Sequence, residues 1–275
     1  MIKNAKRIVI KVGSSTLTYP TGMLNIRKIE LLVKYICDLQ NSGRQFILVS
    51  SGAVSAGVGK LGLGFNGLDI EYKQAAAAVG QCELMNMYSK YFSEYGHTVA
   101  QVLLTKDVID NESRRAHAKS TFSKLLDMKC IPIVNENDTV SSEEIKFGGN
   151  DTLSAVVGWL TDADLVINMS DVDGLFDCDP RKNSNAKLID TVNEINSDLL
   201  TGATLNGSGR GIGGMKAKLF AAQMCQSVGI MMVIVNGSKP SILYDIFDNN
   251  FRGTCFIPYK NASSQLIWST IWTII

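Results

Sequence analysis

Apolar residues follow two alternating patterns along the chain, short near-continuous runs and longer stretches with helical spacing. The runs, rich in β-branched residues, predict strands at 8–14, 46–52, 98–104, 130–138, 163–171 and 230–237. The helical spacing predicts helices at 26–40, 71–95, 113–128 and 213–229, and another from about residue 151. Near-continuous apolar strands separated by helices are typical of a mostly parallel sheet that is covered on both faces. We therefore predict an α/β protein, a three-layer αβα sandwich around a mostly parallel sheet.

Composition narrows the classes of partner. The chain has 275 residues, 45% of them hydrophobic, which is enough for one large core. It carries 27 lysines and arginines against 26 aspartates and glutamates, so it has no basic excess to attract nucleic acid or an anionic membrane surface. We expect small molecules or other proteins as partners, and neither nucleic acid nor membrane.

Signals for export, disulfides and zinc are missing from the sequence. The first apolar stretch, 8–10, is too short for the core of a signal peptide, which predicts a cytoplasmic protein. The six cysteines are scattered without a CxxC pair, as expected for reduced and mostly buried thiols. The two histidines exclude a histidine-rich zinc site and argue against a Ser-His-Asp triad.

Polar and glycine residues collect where the predicted strands end. In open α/β sheets, ligands bind beyond the carboxyl ends of the strands. Several such residues at one sheet edge therefore predict a binding site. The residues are Lys11 and Gly13, Ser51 and Gly52, 135–138, and Ser170 and Asp171.

Two familiar nucleotide motifs fail on this chain. Residues 57–62, GVGKLG, fit G-x-G-x-x-G, but a helix is predicted between them and the preceding strand, whereas the dinucleotide motif needs its glycines in the first turn after the strand. Lys60 fits the lysine of the Walker A motif, but Val54 and Leu61 stand where that motif needs glycine and a hydroxyl residue. We expect neither a Rossmann cofactor nor a P-loop.

A better phosphate site is the stretch 206–218, NGSGRGIGGMKAK. Its five glycines allow backbone amides to close around oxyanions, and a helix that begins near Gly214 directs the positive end of its dipole at the same place. Lys216 and Lys218 fall in the first turns of that helix, where a cation is unfavourable unless an anion is nearby. The alternative is a mobile surface loop, for which glycine richness is also typical.

Lys11 and the pair Asn150 and Asp151 each fit either a site or an ordinary structural role. Lys11 interrupts the β-branched run IVIKVGS, and an ammonium group in a covered sheet needs an anionic partner or ligand. The alternative for Lys11 is an exposed strand end from which the side chain reaches water. Asn150 and Asp151 stand where a glycine turn meets a buried helix, so the alternative for them is helix capping.

Six ordered motifs resemble the series of the glutamate 5-kinase family, part of the amino acid kinase superfamily. They are IVIKVGSSTLT (8–18), LVSSGAVSAG (48–57), IVNENDTV (133–140), KFGGNDTLSA (146–155), MSDVDGLFDCDPR (169–181) and GIGGMKAK (211–218). The resemblance implies an amino acid kinase domain over 1–258, with the amino-acid site in its N-terminal part and the nucleotide site in its C-terminal part. An apolar tail, 259–275, follows without the PUA-type domain of longer members.

The activity implied by this resemblance is ATP-dependent phosphorylation of the glutamate side-chain carboxylate to glutamyl 5-phosphate, the first step of proline biosynthesis. Mg²⁺ would accompany ATP and bridge its phosphates largely through water and phosphate oxygens. A carboxylate is already ionised near neutral pH, so the reaction needs no general base. The absence of an evident catalytic histidine is therefore no objection to this activity.

The resemblance also implies a role for individual residues. The catalytic residues are Lys11, Lys218 and Asp151. The glutamate-binding residues are Ser51, Gly52, Asp138 and Asn150, with Asp138 suited to the substrate ammonium, and the Ser51 hydroxyl and the Asn150 amide suited to its carboxylates. The nucleotide-binding residues are Lys11, Gly13, Ser170, Asp171, Ile212, Gly213, Gly214, Met215, Lys216, Ala217 and Lys218.

Two positions depart from the family pattern. Family members often have an acidic residue where this chain has Gly149, and a threonine where it has Ile212. The first departure predicts altered glutamate binding and the second altered nucleotide affinity. Neither touches the two catalytic lysines or Asp151.

Other functions and partners stay open. The alternative functions are an aspartokinase-like or acetylglutamate kinase-like activity, and a non-catalytic sensor of nucleotide or amino acid. By resemblance we expect proline as a feedback inhibitor, a homo-oligomer, and functional coupling to a glutamyl phosphate reductase. The stretch 265–275, QLIWSTIWTII, is shorter than a membrane-spanning helix requires and predicts a final strand packed on the sheet or on another subunit.

Overall fold

Eight strands form one sheet in the computed structural model, within the residues that the structure describes: 2–141, 149–180, 182–196, 199–200 and 214–259. The strands lie in the order β3-β4-β2-β1-β5-β7-β8-β6, and neighbouring strands are parallel except β7 and β8. The strands so numbered are β1 (Arg7–Val12), β2 (Gln45–Ser50), β3 (Val99–Leu104), β4 (Ile131–Glu136), β5 (Leu165–Ser170), β6 (Thr191–Val192), β7 (Met231–Asn236) and β8 (Gly253–Phe256).

Helices lie on both faces of this sheet. Side-chain oxygens of Asn25, Asp69 and Asn111 accept hydrogen bonds from backbone amides at the starts of the three long helices α2, α4 and α6. The described helices are α1 (Ser14–Leu17), α2 (Ile26–Asn41), α3 (Ala53–Leu61), α4 (Ile70–Glu94), α5 (Asp107–Asp110), α6 (Glu112–Asp127), α7 (Asn150–Leu160), α8 (Met215–Ser227) and α9 (Ile242–Asp248), and a 3-10 turn (Ile2–Asn4) precedes β1.

The predicted α/β class, with its mostly parallel sheet, is confirmed. The strands predicted between residues 8 and 237, and the predicted helices, are present in the described part of the chain, with ends that differ by no more than two residues. The final strand predicted in 265–275 lies outside the described residues. The elements α1, α5, α9, β6 and β8 were not predicted, because they are too short to show a hydrophobic period. The antiparallel pairing of β8 with β7, and the short strand β6 beyond it at the sheet edge, are therefore new information from the structure.

The two faces of β1 show how the sheet separates two cores. Ile8, Ile10 and Val12 pack on one face against residues of α2, α4 and α9. Val9 packs on the other face, against residues of α6, α7 and α8. Successive side chains of a strand point to opposite faces, so Lys11 shares the face of Val9 and lies toward α7 and α8. The three-layer sandwich is thus confirmed, with Lys11 facing the second core.

The sheet changes its direction of winding at β1. From β1 the chain passes to β2 on one side, while β5 joins β1 on the other side. Ligands of open α/β sheets bind at the carboxyl ends of the strands at such a switch point. The carboxyl ends of β1, β2, β4 and β5 therefore mark the expected site, as the sequence predicted.

Helices α3 and α4 meet at backbone distance. A Cβ atom at Gly80 would lie 1.8 Å from the carbonyl oxygen of Ala53, and one at Gly57 would lie 1.7 Å from that of Ala76. Neither position has room for a side chain, so the two glycines fix the distance between the helices. Gly57 also lies inside α3 and not in the first turn after β2, which confirms that GVGKLG is not a dinucleotide motif.

The prediction that most cysteines are buried is wrong, whereas their reduced state stays a prediction. All six thiols are free. Cys37 and Cys225 are buried, but Cys82 is exposed and the other three are half-buried. Cys82 lies in α4, Cys130 and Cys255 lie in or beside short strands, and Cys178 lies in the connection between β5 and β6, where scattered spacing gives no sign of burial.

Two stretches of interest lie outside the described residues. They are the glycine-rich segment 201–213 and most of the predicted tail, 260–275. In the described ranges, none of the helices is both long enough and apolar enough to pass through a membrane.

We predict that Gly80→Ala lowers the free energy of unfolding by roughly 1–3 kcal/mol, because the added methyl group overlaps the Ala53 carbonyl and forces α3 and α4 apart. Gly64→Ala is the matched control, since a Cβ atom there meets nothing within 4 Å. Urea denaturation of both variants measures the difference. Equal stabilities would contradict the close packing of the two helices.

Candidate active site

A buried carboxylate, Asp151, binds two ammonium groups at the switch point. Its Oδ1 atom lies 2.6 Å from Nζ of Lys11, and its Oδ2 atom lies 3.2 Å from Nζ of Lys218. The side-chain amide of Asn168 donates a further hydrogen bond of 2.8 Å to Oδ1. Three residues that are far apart in the sequence thus share one carboxylate.

The fold brings each of these side chains to the same point. Lys11 and Asn168 are register partners on the neighbouring strands β1 and β5, so both side chains face α7. Asp151 is in the first turn of α7, where a negative charge is favourable to the helix dipole. Lys218 lies in the first turn of α8, which packs beside α7 on the same face of the sheet. The carboxylate therefore meets both lysines directly above the sheet.

Burial and charge together set the protonation of this cluster. Lys11, Lys218 and Asp151 are only 7%, 6% and 3% exposed. Burial lowers the pKa of Lys11, an effect that Asp151 opposes and Lys218 increases. Burial alone raises the pKa of Asp151, but the two ammonium groups outweigh it and hold that pKa below its usual value. The formal charges of one carboxylate and two ammonium groups add up to one net positive charge.

The structural alternatives for these residues are wrong. Lys11 is buried against Asp151 and does not extend to water. The N-cap of α7 is Gly149, whose φ of 110° is a value that residues with a side chain rarely adopt. The side chains of Asn150 and Asp151 bind across the sheet edge rather than to the amides of their own helix. The pair begins a helix without capping it.

A second polar group adjoins the carboxylate on the side of β2 and β4. The Asn150 amide nitrogen lies 2.8 Å from Oγ of Ser51, 3.0 Å from Oδ1 of Asn135 and 3.3 Å from the carbonyl oxygen of Ser50. Gly52, with φ of 97°, turns the chain sharply from β2 into α3 and leaves Ser51 at the sheet edge. The structure therefore brings Ser51, Gly52 and Asn150 together. Asp138 is half-buried in the turn that follows β4.

The residues predicted for the nucleotide lie on the other side of Lys11. Gly13 follows β1, and Ser170 ends β5, where its hydroxyl lies 3.1 Å from Oδ1 of the exposed Asp171. Gly214 precedes α8 at an open position where a Cβ atom would meet nothing within 4 Å. The first helical residues are the half-buried Met215 and Ala217 and the exposed Lys216, whose Nζ lies 5.5 Å from the ring centre of Phe220. Ile212 and Gly213 lie outside the described residues.

The carboxylates of the site differ in whether they are open to a metal ion. In the ranges that the structure describes, no group of three or more His, Cys, Asp or Glu residues is arranged to hold a metal ion. Both oxygens of Asp151 already accept hydrogen bonds from ammonium or amide groups. Asp171, by contrast, is an exposed carboxylate near the nucleotide residues.

Comparison with known proteins identifies the family of the chain. The sequence profile described as "Amino acid kinase family" matches residues 6–236. The chain belongs to the amino acid kinase family. Within it, this amino acid kinase groups with the glutamate 5-kinases. That of Clostridium acetobutylicum is 52% identical over 257 residues, which cover 94% of this chain and 96% of the relative. That of Enterococcus faecalis is 47% identical over 260 residues, which cover 93% and 96% of the two chains.

Solved structures support the fold of this amino acid kinase. A UMP kinase from Ureaplasma parvum has a TM-score of 0.63 at 16% identity, covering 92% of this chain and 98% of its own. A carbamate kinase from Giardia lamblia, bound to AMP-PNP, has a TM-score of 0.63 at 15% identity, covering 93% and 99%. At such low identity these likenesses establish the fold alone.

Three polar residues of the site were not assigned a role from the sequence. Asn168 interrupts the apolar run of β5, the same signal that identified Lys11 in β1, so it could have been found. Asn135 was noted only as part of the strand-end group 135–138. Gln81 is 8% exposed in α4, and its amide oxygen accepts a hydrogen bond of 3.0 Å from Asn135. Nothing in the helical pattern distinguishes Gln81 from a surface glutamine.

Asn168 combines a functional contact with a structural cost. Its amide nitrogen binds Asp151, but its Oδ1 atom is buried without a hydrogen-bond partner in the described structure. A buried acceptor left unpaired destabilises a protein by about 1–3 kcal/mol, roughly what a hydrogen bond to a charged group contributes. Removing both groups at once should therefore change the stability little.

We predict that Asn168→Val keeps the free energy of unfolding within about 1 kcal/mol of the wild type, while kcat falls roughly fivefold, because Asp151 loses a donor that orients it. Ile167→Val, on the opposite face of β5, is the control: it should lower stability by about 0.5–1.5 kcal/mol and leave kcat unchanged. Thermal unfolding and steady-state kinetics measure the two effects. An Asn168→Val enzyme with wild-type kcat would show that Asp151 does not need this amide.

Proposed function

We propose that the chain is an ATP-dependent kinase that phosphorylates the side-chain carboxylate of glutamate, producing glutamyl 5-phosphate and ADP. In metabolism this would be the first step of proline biosynthesis. The observation that carries the proposal is the buried group of two lysines and one aspartate, whose net positive charge suits a phosphoryl group in transfer. The glutamate 5-kinases that are about half identical to this chain support glutamate as the acceptor.

The chemistry requires alignment and charge neutralisation more than proton transfer. A side-chain carboxylate oxygen of glutamate attacks the γ-phosphorus of ATP, and the bond from that phosphorus to the oxygen of the β-phosphate breaks. Because the carboxylate is ionised near neutral pH, no base is needed. The enzyme's task is to hold two anions in line and to offset their charge.

Lys11 and Lys218 would do this from opposite sides of the transferring group. Each ammonium would contact oxygens of the transferring group, and Asp151 between them would fix the direction of both. Asp151 would not touch the phosphoryl group, since its oxygens already accept hydrogen bonds from Lys11, Lys218 and Asn168. Its negative charge would also favour the ammonium form of Lys11, against the burial that lowers the pKa of that lysine.

The nucleotide would lie beyond Lys11, along Gly13, Ser170, Asp171 and the start of α8. A Cβ atom at Gly13 would lie 3.9 Å from Nζ of Lys11, an ordinary contact, and φ of −78° at Gly13 is open to any residue. The protein's own packing thus does not require glycine there. Space for a phosphate beside Lys11 is a sufficient reason for it. By resemblance, Ile212 and Gly213 would also bind the nucleotide, together with the residues 214–218.

Magnesium would arrive with ATP. Bound to the phosphates, it would neutralise part of their charge, and most of its remaining ligands would be water. The exposed carboxylate of Asp171, at the nucleotide end of the site, is the side chain that fits such an ion. The amino acid would lie on the other side of Asp151, against Ser51, Gly52, Asn150 and Asp138.

The remaining expectations stay part of this proposal. They are a cytoplasmic location, a homo-oligomer, inhibition by proline, and transfer of the unstable acyl phosphate to a glutamyl phosphate reductase. An acetylglutamate kinase-like or aspartokinase-like activity is the second candidate. It would use the same lysines with a different acceptor.

The test is ADP release from the purified protein with Mg-ATP and, separately, glutamate, aspartate, acetylglutamate and UMP. Hydroxylamine traps an acyl phosphate as a hydroxamate. Of the four acceptors, we expect only glutamate to cause ADP release, with an equal amount of hydroxamate formed. Turnover with another acceptor and none with glutamate would contradict the substrate, and no turnover at all would favour a non-catalytic sensor.

We predict that Lys11→Ala and Lys218→Ala each lower kcat by about 10²-fold or more, comparable to the loss of other groups that stabilise a transition state. Lys124→Ala is the control, since that side chain is 74% exposed on α6. Steady-state kinetics on variants with native circular dichroism give the result. A folded Lys218→Ala enzyme with near-normal turnover would refute the role of this lysine.

A further inference from the structure

Three side-chain amides form a continuous line from α4 to α7. The Asn150 amide nitrogen donates to Oδ1 of Asn135 at 3.0 Å, and the Asn135 amide nitrogen donates to Oε1 of Gln81 at 3.0 Å. Asn135 is 2% exposed and Gln81 is 8% exposed, so water has little access to the line. In such a line of buried amides, the orientation of each amide determines which atom of the next one must donate and which must accept.

A backbone carbonyl decides the direction. The Asn150 amide faces the carbonyl oxygen of Ser50 at 3.3 Å, and a carbonyl oxygen can only accept. The atom of Asn150 on that side must therefore be nitrogen. Since this nitrogen also faces Asn135, the facing atom of Asn135 must be its oxygen. The other end of Asn135 is then a donor, which requires the oxygen of Gln81.

The direction of the line determines what Asn150 offers to a substrate. Its amide nitrogen has two hydrogens, and it faces acceptors on Ser50, Ser51 and Asn135. In the described structure all contacts of this amide are made by the nitrogen, so its Oδ1 atom points away from them. The Ser51 hydroxyl accepts from Asn150 and can therefore direct its own hydrogen outward.

We propose that Gln81 is a positioning residue of the amino-acid site, which acts through Asn135 to hold Asn150 with its carbonyl oxygen toward the substrate. Asn150 then accepts a hydrogen bond from the ammonium group of the amino acid, and Ser51 donates one to a carboxylate. This revises the role of the Asn150 amide, which by resemblance alone was suited to a carboxylate. The inference rests on the proposed function, since it concerns the acceptor site of that reaction.

Without the Gln81 oxygen, no acceptor would hold the side-chain amide of Asn135 in its observed orientation. In the observed orientation its buried amide nitrogen would then have lost its acceptor. In the reversed orientation that nitrogen would face the nitrogen of Asn150, a clash of two donors. Asn150 would relieve the clash only by turning its oxygen inward, where it meets the Ser50 carbonyl. The oxygen presented to the substrate would no longer be held in place.

The position of Gln81 is itself fixed by the backbone. Its neighbour Gly80 contacts the carbonyl of Ala53 in α3, and α3 follows directly from Gly52 at the end of β2. The helix that carries Gln81 is thus fixed to the segment that carries Ser50 and Ser51. The same packing therefore fixes Gln81, one end of the line, relative to the Ser50 carbonyl and the Ser51 hydroxyl that accept from Asn150.

The test compares Gln81→Met, which has a similar length but no amide oxygen, with Gln81→Glu, which keeps an acceptor in either protonation state. We expect Gln81→Met to raise KM for glutamate roughly five- to tenfold, with kcat and KM for ATP within about twofold of the wild type. Gln81→Glu should keep KM for glutamate within about twofold of the wild-type value. A role in packing alone would not separate the two substrates or be reversed by the acidic variant.

An unchanged KM for glutamate in folded Gln81→Met would overturn the proposal, and so would an equal defect in Gln81→Glu. If Gln81→Met does not fold, Asn150→Asp provides the decision, since a carboxylate is favourable in the first turn of α7. It keeps an outward oxygen but places a second oxygen against the Ser50 carbonyl and Oδ1 of Asn135. We expect KM for glutamate to rise at least about tenfold, and a wild-type KM would overturn the proposed direction of the line. A wild-type enzyme that ignores glutamate would instead refute the proposed function.

Discussion

The shared carboxylate of Asp151 is the interaction on which the rest of the site depends. Two ammonium groups buried above a sheet would repel each other and lose their hydration, which destabilises a folded protein. One carboxylate between them offsets part of that penalty and balances one of the two positive charges. A cluster balanced in this way can fold without a ligand and still attract an anion. This combination is what a phosphoryl-transfer site requires.

The sheet and its helices supply the positions that this interaction needs. Lys11 comes from β1 and Asn168 from β5, on the two strands where the winding changes direction. Asp151 and Lys218 come from the first turns of two helices on the same face. On the side of β2 and β4, the close contact of α3 and α4 fixes the helix that carries Gln81. The charged group around Asp151 and the amide group around Asn150 thus lie side by side on one edge of the sheet.

Much of this arrangement could be predicted because its residues break a local pattern. Lys11 interrupts an apolar strand, and the Asn150 and Asp151 pair follows a glycine at the start of an apolar helix. Asn168 broke the pattern of β5 in the same way and was overlooked. Gln81 could not have been found, because its contact lies 54 residues away in the sequence and a glutamine on a long helix is unremarkable. The direction of the amide line depends on the Ser50 backbone carbonyl, which no side-chain pattern reveals.

The most direct test of the central claim is a crystal structure of the protein with ADP, Mg²⁺, glutamate and aluminium fluoride, a planar anion that imitates the transferring phosphoryl group. The account predicts that the fluoride group lies between the Lys11 and Lys218 ammonium groups, within hydrogen-bond distance of both. It also predicts that Asp151 keeps its contacts to the two lysines and makes none to the fluoride. A fluoride group bound away from either lysine, or bound directly by Asp151, would contradict the account.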